Sequence, residues 1–387
     1  MPEHNALNLI AGYSAAAAAK LALEQSGSDF LEVRGEVGNA VVQLHPKRLA
    51  LEVAEIIEDT PSTRTLRLVA VDGQALPPFQ AGQYINLFVE IDGVHTARPY
   101  ALSSPPSQRG YYDLTVKRAK GGFVSSYLLD RVTVGQPLTS SGPMGTFHHN
   151  PLFHGDDLVF LAGGSGVAPA RSILLDILAR DLPQRLQLIH VNSHLDDVIY
   201  AEQLRALAAR HPQFTLTEVI SRPPAGYSGH SGRLNVDLLR EQLGAVGDKM
   251  FYICGPTPFN DNCVALLSEL GVARRRIRVE ANGAPKAPNQ QPGWPDGVAL
   301  EDEVQITVRG RGSFRSQVGE PLLNALERNG YFAENACRSG ECSLCRVKLV
   351  AGSVFNPQEA HLRKSDRDFG WIYACVAFPT GDIEVLL

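Results

Sequence analysis

The sequence has no stretch of about 20 consecutive apolar residues, the length that an α-helix needs to cross a bilayer. The apolar segment from Ile10 to Leu23 also lacks the pattern of a secretory signal, because no Lys or Arg precedes it and Lys20 interrupts it. Its alanines favour an ordinary helix. We therefore expect no membrane insertion and a cytoplasmic location.

An excess of positive charge is also lacking. The 36 Lys and Arg residues are outnumbered by 41 Asp and Glu residues, which gives a formal net charge of −5. Nucleic acids are bound largely through basic residues, so the composition gives no reason to expect a nucleic-acid partner.

Cysteine is scarce over most of the chain, where only Cys254 and Cys263 occur before residue 337. The other four follow a C-x4-C-x2-C spacing with one distant cysteine, and they are Cys337, Cys342, Cys345 and Cys375. Plant-type 2Fe-2S clusters are bound with this spacing. A zinc site is the alternative, but zinc sites usually pair their cysteines in two short units, and this segment has one. The spacing therefore predicts an iron–sulfur cluster.

The length of 387 residues, at about 150 residues per domain, predicts two or three domains. From Leu49 onward, alternating strands separated by Pro and Gly indicate an antiparallel β-barrel. From Asp157 the order changes to strand, turn and helix, which indicates a parallel α/β layer. Four prolines among polar residues between 283 and 299 are typical of a linker, so a third domain should follow.

The next motif follows the third of the strands predicted for the barrel. It is Arg98-Pro99-Tyr100-Ala101-Leu102-Ser103. It resembles the R-x-Y-S motif of the ferredoxin-NADP reductase family, in which the Arg neutralises a flavin phosphate and the Tyr packs on the isoalloxazine ring. The resemblance gives these roles to Arg98 and Tyr100 and places Ala101 and Ser103 beside them. Family members commonly have Ser where this chain has Ala101, and an Arg-Pro-Tyr turn at a strand end is the alternative reading.

A helix start downstream resembles the segment with which the same family holds the FAD pyrophosphate. The residues concerned are Gly122, Val124 and Ser125. The N-terminus of a helix binds anions through its free N–H groups, so this match favours FAD over FMN. A Gly-Gly turn that opens an ordinary helix is the alternative.

Two further turns point to a nicotinamide cofactor. A glycine-rich turn between a strand and a helix would let the backbone approach a pyrophosphate, and it contains Gly163, Gly164, Gly166 and Val167. The later Cys254-Gly255-Pro256-Thr257-Pro258 resembles the C-G-P-x-P signature of the family, in which the Cys lies beside the nicotinamide. The alternative for Cys254 is a small buried apolar residue.

The choice between NADH and NADPH rests on the segment Asn192-Ser193-His194, where family members bind the adenosine ribose. Relatives that prefer NADPH often have Arg where this chain has His194, so we expect a preference for NADH, although Arg222 or Arg233 could supply the charge. Glu280 lies where relatives carry a Glu near the flavin and nicotinamide, and an exposed surface Glu is the alternative.

The resemblance covers residues 48–387 and indicates an oxygenase reductase of the ferredoxin-NADP reductase superfamily, similar to phenylacetyl-CoA epoxidase reductase and ketosteroid hydroxylase reductase. It implies five segments: an extension of unknown role (1–47), an FAD-binding β-barrel (48–150), an NAD(P)-binding α/β domain (151–282), a linker (283–300) and a β-grasp-like α+β ferredoxin domain with the 2Fe-2S cluster (301–387).

The expected activity is hydride transfer from NADH or NADPH to the flavin, followed by single-electron transfer through the cluster to a partner protein. Cys254, Tyr100 and Glu280 are the expected catalytic residues, and an oxygenase component is the expected partner. Two alternatives stay open: a donor to a non-oxygenase partner such as a corrinoid or haem protein, and a redox-sensing module.

Overall fold

The computed structural model describes residues 13–25, 41, 44, 46–150, 152–280, 283–357 and 360–387. The chain divides into two compact units, residues 1–46 and 47–387. In the first unit, the alanine-rich segment forms helix α1, Tyr13–Gln25. Within the described residues, no helix combines the length and the apolar character that crossing a membrane requires.

The first sheet of the second unit is antiparallel and has six strands in the order β4-β3-β6-β1-β2-β5. An isolated antiparallel bridge between Leu102 and Leu114 joins its two edges, so the sheet closes into a barrel. Alternation sets the inner face: Leu51 and Val53 are buried, whereas Glu52 between them is exposed. The strands are β1 (Leu49–Thr60), β2 (Thr63–Ala70), β3 (Tyr84–Ile91), β4 (Val94–Ala101), β5 (Tyr112–Lys117) and β6 (Pro137–Ser140), with helix α2 (Phe123–Asp130) before β6.

The second sheet is parallel, with the strand order β10-β9-β8-β7-β11-β12. The chain leaves β7 in one direction through β8 to β10 and then returns to the other side of β7 with β11. Ligands of such sheets bind where the strand order reverses, here at the carboxyl ends of β7 and β11. The strands are β7 (Asp157–Gly163), β8 (Arg185–Asn192), β9 (Phe214–Ile220), β10 (His230–Ser231), β11 (Met250–Cys254) and β12 (Ile277–Glu280), and the helices are α3 (Val167–Ala179), α4 (Ala201–Arg210), α5 (Val236–Leu243) and α6 (Thr257–Glu269).

The third sheet is mixed, with the order β14-β13-β19-β15-β17. Helix α7 (Leu322–Arg328) buries Leu322, Leu323 and Leu326 in the core of this sheet. A two-stranded sheet of β16 and β18 lies in the same part of the chain. The remaining elements are β13 (Glu303–Val308), β14 (Gly312–Gln317), β15 (Arg346–Ala351), β16 (Val354–Phe355), α8 (Lys364–Asp368), β17 (Trp371–Tyr373), β18 (Phe378–Pro379) and β19 (Ile383–Leu386).

The predicted fold class is confirmed: an antiparallel barrel, a parallel α/β layer and a ferredoxin-type α+β domain follow one another. Each sheet lies within its predicted segment. The exact first and last residues of the segments stay predictions. The proline-rich segment 283–299 is anchored by packing. The ring of Trp294 lies edge-on to Phe355 at 5.1 Å between centroids, and Trp294 Nε1 donates to Val298 O at 3.0 Å.

Polar contacts join the barrel to the parallel sheet. Lys117 Nζ lies 2.6 Å from Asp197 Oδ2, and the hydroxyls of Thr60 and Ser62 each donate to Asp197 Oδ1 at 2.6 Å. Burial raises the pKa of Asp197, but hydrogen bonds from Lys117, Ser62 and Thr60 outweigh burial and lower it overall. Asp197 is thus held as a carboxylate at the boundary of the two sheets.

Candidate functional site

A cavity of about 830 Å³ lies where the barrel, the parallel sheet and the third sheet meet. It is at the reversal of strand order, as expected for an α/β ligand site. Residues of the predicted flavin-stacking, nicotinamide and cluster motifs line it, namely Tyr100, Ala101, Gly166, Cys254, Gly255, Pro256, Glu280 and Cys337. The structure therefore brings the predicted flavin, nicotinamide and cluster residues to one place.

The four cysteines of the predicted cluster come together at the edge of this cavity. The N–H groups of Ser339, Glu341 and Cys342 all point to Cys337 Sγ, at 3.4, 3.4 and 3.3 Å. Hydrogen bonds from the thiols of Cys342 and Cys375 lower the pKa of Cys337, and a hydrogen bond from Cys375 lowers that of Cys345. The four sulfurs are therefore neighbours.

The loop can enclose a group only because its backbone turns sharply. Arg338, Gly340 and Ser343 have φ values of +54°, +82° and +60°, in the left-handed region that non-glycine residues rarely adopt. At Gly340 a Cβ would lie 3.0 Å from Val376 Cγ2 and 3.2 Å from Ala360 Cα, so the loop is packed tightly from behind. Four soft thiolates with inward N–H groups fit a 2Fe-2S cluster.

On the barrel side, Tyr100 and Ala101 face the cavity from the end of β4. Burial raises the pKa of Tyr100, so its phenol stays neutral. A neutral aromatic ring in an apolar wall suits stacking on a flavin.

Arg98 lies two residues earlier on β4, and its guanidinium contacts residues that do not line the cavity. Its Nη1 donates to Thr96 Oγ1 at 2.6 Å and to Ala97 O at 2.7 Å, and lies 3.9 Å from Glu327 Oε2. Burial and, second, the charge of Arg338 lower the pKa of Arg98 to about 10, against the opposing charge of Glu327. The guanidinium stays charged at neutral pH beside the cavity wall.

Ser103 and the predicted pyrophosphate turn stand further along the barrel. Ser103 Oγ is buried and donates to Asp113 O at 3.1 Å, so its hydroxyl is used inside the barrel. Gly122 immediately precedes α2, and a Cβ there would overlap Ser125 Oγ, which itself accepts from Ala119 N at 3.2 Å. Val124 is buried in the barrel core. Ala119 lines the cavity, so the start of α2 lies near its wall.

The glycine-rich turn after β7 is fixed by contacts that leave no room for side chains. A Cβ on Gly166 would overlap the carbonyl oxygen of Cys254, and one on Gly163 would lie 2.9 Å from the Phe259 ring. Gly164 has φ of +55° and its carbonyl oxygen is 3.1 Å from His190 Nε2. Val167 begins α3 directly after the turn. Only glycine permits this approach of the two turns.

The register of two paired parallel strands places Cys254 beside Glu280. They end the paired strands β11 and β12, where Cys254 lies opposite Glu280, and both line the cavity. Burial, the charge of Glu341 and that of Cys337 raise the pKa of Glu280 to about 8. The site thus contains a thiol and a carboxyl that holds its proton more tightly than an exposed Glu.

The residues that line the cavity, within the described ranges, do not include Asn192 and Ser193. Asn192 ends β8 and is buried, and neither Oδ1 nor Nδ2 has a hydrogen-bond partner among the described atoms. Ser193 and His194 are exposed beyond it. Arg222 N donates to Ser193 O at 2.9 Å, so Arg222 is the alternative cation whose backbone touches the predicted ribose segment.

Sequence reasoning missed several residues of the wall. The linker contributes Ala284, Pro285, Lys286, Ala287, Gln290 and Gln291, and the barrel contributes Tyr84, Thr115 and Lys117. The linker residues carry no motif, since their composition indicates only an extended connection. Lys117 stands 80 positions before its partner Asp197, and no local pattern joins them.

Comparisons with known proteins agree with this geometry. Three family models match in order: an oxidoreductase FAD-binding domain (residues 50–149), an oxidoreductase NAD-binding domain (160–264) and a 2Fe-2S iron-sulfur cluster binding domain (306–380). The chain therefore contains FAD-binding, NAD-binding and 2Fe-2S domains.

Similar proteins match over most of their length. The glycine betaine monooxygenase reductase subunit of Pseudomonas aeruginosa is 30% identical over 353 residues, which cover 87% of this chain and 95% of that one. The ferredoxin reductase component of the 3-ketosteroid-9-alpha-monooxygenase of Rhodococcus rhodochrous is 28% identical over 350 residues, covering 87% and 95%. The solved structure of phthalate dioxygenase reductase shares the fold, with a TM-score of 0.65 over 88% of this chain and 98% of that one at 19% identity.

The fit of the two turns predicts the effect of a single methyl group. Gly166→Ala should lower the free energy of unfolding by about 1–3 kcal/mol, the usual range for overpacking, and should raise KM for the nicotinamide cofactor because the turn must move. Thermal unfolding and steady-state kinetics measure the two effects. Gly247→Ala is the control, because a Cβ there meets no atom within 4 Å. Equal behaviour of the two variants would contradict the close approach.

The second prediction concerns acid stability. Burial, with a smaller contribution from the charge of Lys117, lowers the pKa of His190 to about 4 against the opposing effect of its hydrogen bond to Gly164 O. A folded-state pKa below the ordinary value of about 6.5 means that the unfolded chain binds the proton more tightly, so stability is lost as pH falls from about 6.5 toward 4. His190→Gln should flatten this part of the profile of melting temperature against pH. Parallel profiles for the two proteins would show that His190 does not contribute.

Proposed function

Since the chain belongs to the family of monooxygenase reductase subunits and combines FAD-binding, NAD-binding and 2Fe-2S domains, we propose that it takes hydride from NAD(P)H and delivers single electrons to an oxygenase component. Each hydride brings two electrons to the flavin. They leave the flavin one at a time, because a 2Fe-2S cluster accepts a single electron. The observation that carries the proposal is the shared cavity: Cys254, Tyr100 and Cys337 line one space.

The bound FAD and 2Fe-2S cluster supply the redox chemistry, and the residues of the chain supply position and electrostatics. We assign the nicotinamide end of the cavity to Cys254, Gly255, Pro256 and Glu280, and the flavin face to Tyr100 and Ala101. Glu280, with its raised pKa, can hold a proton at its carboxyl beside the reacting atoms.

Two turns that directly precede helices are the proposed sites for the cofactor phosphates. We assign the nicotinamide pyrophosphate to the backbone of Gly163, Gly164 and Gly166, ahead of the 13-residue helix that starts at Val167. For the FAD pyrophosphate we assign Gly122, Val124 and Ser125 at the start of α2. Arg98 is assigned as the cation for a flavin phosphate, and its guanidinium contacts Thr96 and Glu327 in this structure. Ser103 supports the barrel behind this site. Asn192 and Ser193 are assigned to the adenosine ribose, since Asn192 has both polar atoms free to accept and donate.

The partner and the location of the protein belong to the same proposal. Two of the similar proteins named above are the reductase subunit or the ferredoxin reductase component of a monooxygenase, and this chain matches 95% of the length of each. An oxygenase component is therefore the acceptor that we propose. The cytoplasm is the proposed location, because the reaction consumes a nicotinamide cofactor.

The cluster can be tested by separating the two halves of the reaction. In Cys342→Ser, NADH should reduce the flavin at the wild-type rate, because the hydride step does not use this cysteine. Reduction of a protein acceptor such as a cytochrome should be lost. Stopped-flow absorbance follows both steps, and iron analysis follows the cluster. Cys263→Ala is the matched control, since this buried cysteine lies in the apolar core of the parallel sheet. Full cytochrome reduction by Cys342→Ser would remove the cluster from the electron path.

The nucleotide preference can be tested at His194. We expect a higher kcat/KM with NADH than with NADPH, because a 2′-phosphate has no Arg at this position. His194→Arg should improve kcat/KM for NADPH by roughly tenfold to a hundredfold, the value of a charged hydrogen bond of about 1.5–3 kcal/mol. A wild-type preference for NADPH that is lost in Arg222→Ala would instead assign the phosphate to Arg222.

A further inference from the structure

A buried carboxylate lies at the contact between the ferredoxin domain and the barrel. Glu327, on helix α7, is only 7% exposed. Its Oε2 accepts a hydrogen bond from Thr96 Oγ1 at 2.9 Å and lies 3.9 Å from Arg98 Nη1. Its Oε1 is paired with the guanidinium of Arg338 and accepts from Asn335 Nδ2 at 3.4 Å. A single side chain thus contacts both domains.

The hydroxyl of Thr96 completes this cluster of charges. It donates to Glu327 and accepts from Arg98 Nη1 at 2.6 Å and from Arg338 Nη2 at 3.2 Å. A hydroxyl has one donor and two acceptor positions, and all three are used here. We call Thr96, Arg98, Glu327 and Arg338 the Glu327 network. Its hydrogen bonds are mutually dependent, because removal of any member leaves buried polar groups without partners.

The Glu327 network connects the predicted flavin site to the predicted cluster site through few covalent and hydrogen bonds. Arg98 precedes Tyr100 by two residues on β4, so its side chain emerges on the same face of the strand as the ring at the cavity. Arg338 directly follows Cys337, the cysteine that receives three backbone N–H groups. The flavin strand and the cluster loop therefore meet at this network, directly through Thr96 and Arg338 and also through Glu327, which contacts both.

Arg338 also carries the backbone strain of the cluster loop. Its φ of +54° is unfavourable for a residue with a side chain. The guanidinium holds the residue in place through Glu327 and through Nη1, which donates to Asn324 Oδ1 at 3.0 Å. A second contact fixes the same loop to the barrel, since Asn86 Nδ2 donates to Asn335 O at 2.8 Å.

Two guanidinium groups and one carboxylate share this space, so Glu327 is the counter-charge for both arginines. Removal of the buried carboxylate would leave two buried cations without a partner, which is strongly unfavourable, whereas separation of the domains would expose all three groups to water. We propose that Glu327 is a positioning residue for the second half of the reaction, holding the Cys337 loop against the strand of Tyr100 and setting the charge next to the cluster. This inference rests on the proposed function.

The test replaces the charge and keeps the shape. Glu327→Gln should raise the midpoint potential of the cluster, because one negative charge is removed next to a group that gains an electron. The rate of cluster reduction relative to flavin reduction should nevertheless fall by about tenfold, although the higher potential favours electron transfer, because the cluster loop is no longer held in position and small misplacements of reacting groups slow a reaction strongly. Glu384→Gln is the control, since Glu384 forms an exposed ion pair with Arg309 in the same domain. Dithionite titration followed by EPR gives the potential, and stopped-flow absorbance with NADH gives the two rates.

Thr96→Val is a second variant that keeps the volume of the side chain and removes the hydroxyl. It should slow cluster reduction in the same direction, and it decides the question if Glu327→Gln does not fold. The positioning role is wrong if the variants match Glu384→Gln in the rate ratio, whatever their potentials, and the charge effect is wrong if Glu327→Gln matches Glu384→Gln in potential. A wild-type cluster that dithionite reduces but NADH does not would refute the proposed function alone, because the potentials of the variants would still test Glu327.

Discussion

The approach of two backbone turns at the edge of the parallel sheet determines where the cavity can be. The turn after β7 touches the turn after β11 so closely that Gly166 has no room for a side chain against the carbonyl of Cys254. Because the peptide backbone is rigid between its dihedral angles, this contact fixes the positions of Cys254 and of the first turn of α3 together. The Cys254 thiol and the glycine-rich turn are thereby set at a constant separation.

Polar contacts join the domains beside apolar ones, since Phe147 of the barrel segment also packs against Phe160 and Tyr252 of the parallel sheet. Asp197 joins the barrel to the parallel sheet through Lys117, Thr60 and Ser62, and Arg171 Nη1 donates to Ser103 O at 2.8 Å. On the other side, Glu327 joins the ferredoxin domain to the barrel. Polar contacts between domains are typical of interfaces that can also separate, since water can replace each lost hydrogen bond at an opened surface.

The fold and the chemistry of the site could be predicted from local sequence, because each depends on residues that are close in the chain. The spacing from Cys337 to Cys345 determines one loop, and the glycines from Gly163 to Gly166 determine one turn. The wall of the cavity could not be predicted in the same way. Thr96 and Glu327 are 231 positions apart, and neither belongs to a motif, so only the packing of complete domains brings them into contact. Arg98 belongs to a motif, but its guanidinium contacts with Thr96 and Glu327 could not be read from that motif.

The linker has a larger part in the site than its composition indicates. Its first half, from Ala284 to Gln291, lines the cavity, and its second half is held to the ferredoxin domain by Trp294 against Phe355 and Phe378. A rigid-body movement of the ferredoxin domain would therefore pull on a wall of the cavity as well as on the Glu327 network. In the docked position Cys337 faces the same space as Tyr100, which favours charging of the cluster. If the ferredoxin domain moved away from the barrel, Cys337 and the linker residues of the cavity wall would move with it. The same movement would therefore open the flavin site and give an external acceptor access to the cluster.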